Sequence, residues 1–166
     1  FRTSPFSTHV MTSPYTIAFA NVPYFGPRSN AILFEYFDDP EKAWNADIDE
    51  LIAFGIKPHA ASRFSNFRKH HDPSEFIETM VKHGIRAITI RDDEYPAMLK
   101  TIHTPPTLLF IKGVLPSIKK KHLAIVGSRH ATAYGIRIAK KLAGECANAG
   151  IVVVSGLAYG IDEASH

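Results

Sequence analysis

A chain of 166 residues can fill one good core or two small ones. Its 21% charged and 45% hydrophobic content is ordinary for a globular protein in water, and no apolar run approaches the roughly 20 residues of a membrane span. The single cysteine, Cys146, excludes an internal disulfide and a cysteine-based zinc site, and the first residues lack a secretory layout, so the cytoplasm is the expected location.

Residues 1–14 show proline breaks and no periodicity, and read as an irregular leader. From Tyr15 to about Lys69 the signals are helical. Val22-Pro23-Tyr24-Phe25-Gly26-Pro27-Arg28 is a turn leading to a helix, with Pro27 suited to its first position. That helix runs to Phe37, with Ile32, Leu33, Tyr36 and Phe37 on its apolar face. Asp39-Pro40 starts a short helix ending near Trp44. Asp47 caps another that stops at Gly55, and Pro58 begins a fourth through Phe67. Short helices with glycine-bearing turns predict a small helical domain over residues 15–70, of the helix-hairpin-helix or sterile-alpha-motif kind. Gly26 and Arg28 are its only hairpin features suited to a nucleic-acid backbone, and the surrounding segment is acidic. Trp44, Phe34, Phe37 and Phe54 read as core, and the domain as structural or partner-binding.

Asp72-Pro73 opens a helix through Lys82, which Gly84 ends. Ile85 to Ile90 alternates as a strand, and a second strand runs from Thr107 to Ile111. Both are expected to extend the sheet that follows, so residues 71–166 form the second domain. Tyr95 and the Pro105-Pro106 pair read as packing and turn devices. Lys119, Lys120 and Lys121 then lead into the last stretch.

From His122 the sequence gives an apolar strand, HLAIVG, a turn, SRHATAYG, and an amphipathic helix over 134–148. Gly150 and a second apolar strand, IVVVS, follow, and GLAYGID opens a last helix. Strands without alternation fit a parallel sheet covered on both faces. The helix is expected to turn Ile138, Leu142, Cys146 and Ala149 toward that sheet. The fold class is therefore α/β: a small helical domain, then a Rossmann-like parallel sheet. The chain stops early in its last helix, so more of this sheet is expected in a longer protein.

Both turns fall at the carboxyl ends of their strands, where open α/β sheets bind ligands. Gly127, Ser128 and Arg129 bring backbone N–H groups, a hydroxyl and a guanidinium to one strand end. Ser155 and Gly156 bring a hydroxyl and another glycine to the next. A phosphate-accepting crevice built from these five residues is the expectation. The dinucleotide fingerprint G-x-G-x-x-G is absent, because Gly135 is the next glycine after Gly127.

The net charge of +3 hides an asymmetry. Between Tyr95 and Gly144 there are nine Lys or Arg and no Asp or Glu, while the remaining residues balance to −6. A basic block around the glycine turn points to a polyanion. Catalytic and metal signals are weak. His70 and His71 lack a cysteine or carboxylate at ligand spacing, and Ser128 and Ser155 have no neighbouring base. Asp162 reads as an N-cap or first-turn residue, with a paired role alongside His166 as the lesser alternative.

GSRHATAYG (127–135) and VVSGLAYGIDEASH (153–166) closely resemble the signature of the DNA-processing protein A family, DprA or Smf. DDEYPAMLKTIHTPPTLLFIKG (92–113) resembles the segment that precedes it in that family. The resemblance implies a cytoplasmic, non-enzymatic homodimer that needs no cofactor or metal. It would coat incoming single-stranded DNA and load the RecA recombinase during natural transformation, with Gly127, Ser128, Arg129, Ser155 and Gly156 lining the phosphate pocket. The competing class is a Rossmann nucleotide hydrolase of the lysine-decarboxylase-like group. A dinucleotide-binding dehydrogenase is disfavoured by the missing fingerprint.

Overall fold

In the computed structural model residues 12–166 are described, so the expected leader lies, up to Met11, outside the described residues. Proline sets most helix starts: α1 (Pro14–Ala20), α2 (Pro27–Tyr36), α3 (Pro40–Asn45), then, after α4 (Ile48–Ala53), α5 (Pro58–Phe67) and α6 (Pro73–Lys82). Pro14, Pro27, Pro40, Pro58 and Pro73 each stand in the first turn, where a backbone N–H has no acceptor in the helix. Two of these starts are also capped. The Asp39 carboxylate accepts from the Glu41 N–H at 2.9 Å, and that of Asp72 from the Ser74 N–H at 2.8 Å. The Ser74 hydroxyl and N–H together hold the Asp72 carboxyl below its ordinary pKa.

These short helices enclose an aromatic core. Phe64, Leu51 and Ile56 are its most deeply buried large side chains. The Phe64 ring lies 5.2 Å from Trp44, 5.3 Å from Phe19 and 5.6 Å from Phe25, centroid to centroid. Edge-on and tilted pairs of this kind add to what burial alone contributes. Arg68 closes the cluster from α5 by donating to the carbonyls of Trp44 and Ala46 at 2.6 and 2.7 Å. Those carbonyls lie at the end of α3, where the helix itself offers no donor. Trp44 is buried and Phe34, Phe37 and Phe54 are partly buried, as expected for core residues.

β1 (Ile85–Thr89) and β2 (Leu108–Lys112) correct one expectation. They pair antiparallel with each other, Ile85 opposite Lys112 and Thr89 opposite Leu108, as a separate two-stranded sheet. They do not extend the later parallel sheet. Alternation buries Ile88 and Ile111 beside α1 and α6, so this pair completes the helical unit. Between the strands runs α7 (Ala97–Lys100), a turn of helix the sequence did not signal. Tyr95, before it, is buried and donates its hydroxyl to the Pro106 carbonyl at 2.7 Å, and burial raises its pKa.

The chain divides into two compact units, one reaching Val114 and the other running from Leu115 to His166. The second contains β3 (His122–Ala124), α8 (Ala133–Asn148), β4 (Val152–Val154) and α9 (Ile161–Ala164). β3 and β4 pair in parallel, His122 opposite Val152 and Ala124 opposite Val154. α8 is capped by Thr132, whose hydroxyl accepts from the Gly135 N–H at 3.1 Å. Its buried residues are Ala139 and Ala143, whereas Ile138 and Leu142 are exposed. Of the other two residues expected to face the sheet, Cys146 is half-buried and Ala149 is exposed, so the buried stripe is turned by one position from the expected one. No helix among the described residues is long and apolar enough to cross a membrane.

Phe64→Ala should destabilise the helical unit by about 3–5 kcal/mol, the cost of an aromatic removed from a closed core. Trp44 is the chain's single tryptophan and stands beside Phe64, so its emission in a urea titration follows this loss. A shift below about 1 kcal/mol would show that the cluster collapses freely around the gap.

Candidate functional site

Parallel pairing brings the turns after β3 and β4 to the same edge of their sheet. The Ile125 N–H donates to the Val154 carbonyl at 3.0 Å, and the Ser155 hydroxyl donates to the Ile125 carbonyl at 2.7 Å. Gly127 and Gly156 follow on adjacent paths. Between them stands the carboxylate of Asp162, which is 8% exposed. One carboxylate oxygen accepts from the Gly127 N–H and the other from the Gly156 N–H, each at 3.2 Å. The Ser165 hydroxyl donates to the Asp162 carbonyl at 2.7 Å, which steadies the residue from behind.

Asp162 is therefore a first-turn residue of α9 that does not cap it; Gly160 holds the N-cap position. Its two carboxylate oxygens each accept from a backbone donor, and among the described residues no hydrogen bond joins it to His166. A buried charge held by two N–H groups is a structural clamp between two turns.

The glycines serve that close approach. A Cβ on Gly127 would lie 2.7–2.9 Å from the side chain of Ile161. One on Gly160, at φ +87°, would lie 2.3 Å from the Ser128 carbonyl oxygen. The Ile161 N–H donates to that same carbonyl at 3.2 Å, so the start of α9 sits directly against the first turn.

The five expected site residues thus come together but divide their labour. The Gly127 and Gly156 amides are engaged by Asp162, and the Ser155 hydroxyl is engaged by Ile125. Ser128 is exposed, and its hydroxyl oxygen accepts from the His130 N–H at 3.1 Å while keeping its own proton to donate. Arg129 is exposed, and among the described residues its guanidinium has no hydrogen-bond or ion-pair partner. It borders an open depression with Leu157, Ala158, Tyr159 and Glu163. Leu157 stands at φ +53° and is 68% exposed, so an apolar side chain is presented to solvent beside the guanidinium. Lys119, Lys120 and Lys121 precede β3 and so lie at the other end of that strand. Among the described residues no three His, Cys, Asp or Glu side chains form a group that could hold a metal ion. Sequence reasoning missed Asp162 as the clamp. The available signal was an acidic residue placed two positions after the last glycine of a glycine-rich turn.

A family model described as DNA recombination-mediator protein A matches residues 86–166. The DNA processing protein DprA of Bacillus subtilis is 45% identical over 84 residues, covering 50% of this chain and 28% of that protein. Protein Smf of Synechocystis is 30% identical over 159 residues, covering 92% of this chain and 39% of its own length. The X-ray structure of DNA processing protein A from Streptococcus pneumoniae superposes with a TM-score of 0.63 at 28% identity, over 95% of this chain and 53% of that one.

The chain belongs to the DprA/Smf family. It spans well under half the length of the curated family members just named. The matched segment holds β2, all of β1 but Ile85, and the whole Asp162 clamp, so it includes every candidate site residue.

Two substitutions test the clamp. Asp162→Ala leaves the N–H groups of Gly127 and Gly156 without their carboxylate acceptor and should destabilise the Leu115–His166 unit by about 1–3 kcal/mol. Gly160→Ala should be comparably severe, because its methyl group meets backbone oxygen. Amide hydrogen exchange at Gly127 and Gly156 reads both variants; unchanged protection would mean that the carboxylate does not hold the turns.

Proposed function

We propose that the protein binds single-stranded DNA through phosphate contacts at the β3–β4 turns, with Arg129 as the principal contact and Ser128 beside it. The observation that carries this reading is the exposed, unpartnered Arg129 guanidinium on a turn that Asp162 and Gly160 hold rigid. A planar fork with free N–H donors on a fixed backbone is what phosphate recognition requires. The charge of this stretch of sequence supports it: from Lys100 to Lys141 the chain carries nine Lys or Arg and no Asp or Glu. Gly127, Ser155 and Gly156 shape the site, their donors serving the clamp.

In this reading the β3–β4 unit belongs to a Rossmann-like sheet and the helical unit is of the sterile-alpha-motif kind. The protein works as a cytoplasmic homodimer that protects incoming single strands and passes them to the RecA recombinase, without bond chemistry of its own. The description of the family model, a recombination mediator, and the names of the DprA relatives support that role.

Arg129→Ala in the full-length protein should weaken binding to a single-stranded oligonucleotide about tenfold to a hundredfold, the worth of one charge-assisted bond. Lys120→Ala, at the other strand end, should cost less than about fivefold. Arg129→Lys keeps the charge and loses the fork, so it should recover only part of the affinity. Anisotropy titrations across a salt series should give a slope near −3 for about four phosphate contacts. Normal binding by both Arg129 variants, with failure of Lys120→Ala, would put the contact at the wrong end of the sheet. Release of free base from a nucleotide would favour a hydrolase.

A further inference from the structure

The acidic helical domain contains a stretch of opposite character. From Leu51 to His71 there is no Asp or Glu, while Lys57, Arg63, Arg68 and Lys69 are cationic and His59, His70 and His71 add three imidazoles. Arg68 is committed to the Trp44 and Ala46 carbonyls. Arg63, His70 and His71 are exposed, and they line one open depression together with Pro23, Ser62 and Asn66. No carboxylate lines it. The nearest acid in sequence, Asp72, is turned into the cap of α6, accepting from Ser74.

Flat rings accompany the charges. The Arg63 guanidinium lies over the Tyr24 ring, 3.9 Å from its centroid. That arrangement uses the face of the guanidinium and leaves its N–H edge free. Tyr24 is 67% exposed and stands at φ +69°, a backbone conformation uncommon outside glycine, asparagine and aspartate. A large ring held outward on an unfavourable backbone serves no core. His71 lies flat on Phe67, centroids 4.2 Å apart and planes 28° apart, so its ring is also fixed at the rim. Aromatic surface for a base, cationic N–H groups for a phosphate and absence of carboxylates are the ingredients of a single-strand contact.

We propose that this depression between the α1–α2 turn and the end of α5 is a second nucleotide-binding site. It takes one base against Tyr24 and one phosphate against Arg63, His70 and His71. The inference rests on the single-strand reading above, and extends it to the helical unit. An acidic peptide would satisfy the charges but would leave the exposed ring without a role.

The test uses full-length protein and oligo(dT) carrying 5-iododeoxyuridine. Tyr24→Asn removes the ring while suiting the left-handed backbone, so folding is preserved. It should weaken binding about tenfold. Arg63→Gln should do likewise, and Tyr24→Trp should bind as well as the parent. Ultraviolet cross-linking followed by peptide mapping should place label on Tyr24 or on residues 62–71. If Arg129→Ala abolishes binding while Tyr24→Asn and Arg63→Gln leave it unchanged, with no label in these segments, the second site is refuted and the first stands. If no variant and no parent protein binds, both readings fall together. If poly-glutamate displaces the oligonucleotide from Tyr24 at equal concentration, the patch is an acidic-peptide surface and the proposal is overturned.

Discussion

The Leu115–His166 unit turns on one carboxylate. Asp162 accepts the N–H groups of Gly127 and Gly156, two turns that the parallel ladder brings side by side but does not fasten. A β3–β4 pair of three residues each supplies few ladder bonds, so the ends of the strands need a second tie. A charged acceptor that is buried and doubly bonded is the stronger kind of tie. The glycines follow from it: Gly127 and Gly160 lack side chains because α9 must come close enough for the carboxylate to reach.

That clamp changes how glycine-rich strand ends are understood here. Backbone amides in such turns are commonly assumed to await a ligand, yet these two already hold an anion belonging to the chain. In the function proposed above, the ligand-facing chemistry therefore falls to side chains, above all Arg129. A negative charge behind the turn would also set a direction in that function, favouring a phosphate at the guanidinium and disfavouring one deeper in the crevice.

Much of the fold was legible because the sequence is punctuated by proline. Pro27, Pro40, Pro58 and Pro73 announce helix starts that the structure places at those residues. The strands were legible too, but their partners were not: alternation over Ile85–Thr89 says that one face is buried and does not say which strand lies alongside. The packed face of α8 was misjudged for a related reason. Hydrophobic size favoured Ile138 and Leu142, whereas the residues buried are Ala139 and Ala143. At the candidate site, the turns could be placed from glycine and strand pattern alone. The Asp162 clamp could not, because its Gly127 partner is 35 residues away and local rules assign an early-helix aspartate to its own helix. The cationic run from Lys57 to Lys69 was hidden in a segment whose overall charge is acidic.

The 35-residue span between Gly127 and Asp162 also imposes an order of events on a growing chain. The aromatic cluster around Phe64 has all its rings once Phe76 has been made, and its contacts join neighbouring short helices. The parallel pair is different. β3 has no partner until α8 has been laid down and β4 completed, and closing so long a loop costs entropy before any ladder bond forms. During synthesis the turn bearing Arg129 is therefore exposed and unfastened for the whole interval in which the next 33 residues emerge, up to Asp162. An aromatic cluster whose rings are in place by Phe76, followed by a strand-end turn that waits for Asp162, puts the fastening of the site after the formation of the core that precedes it.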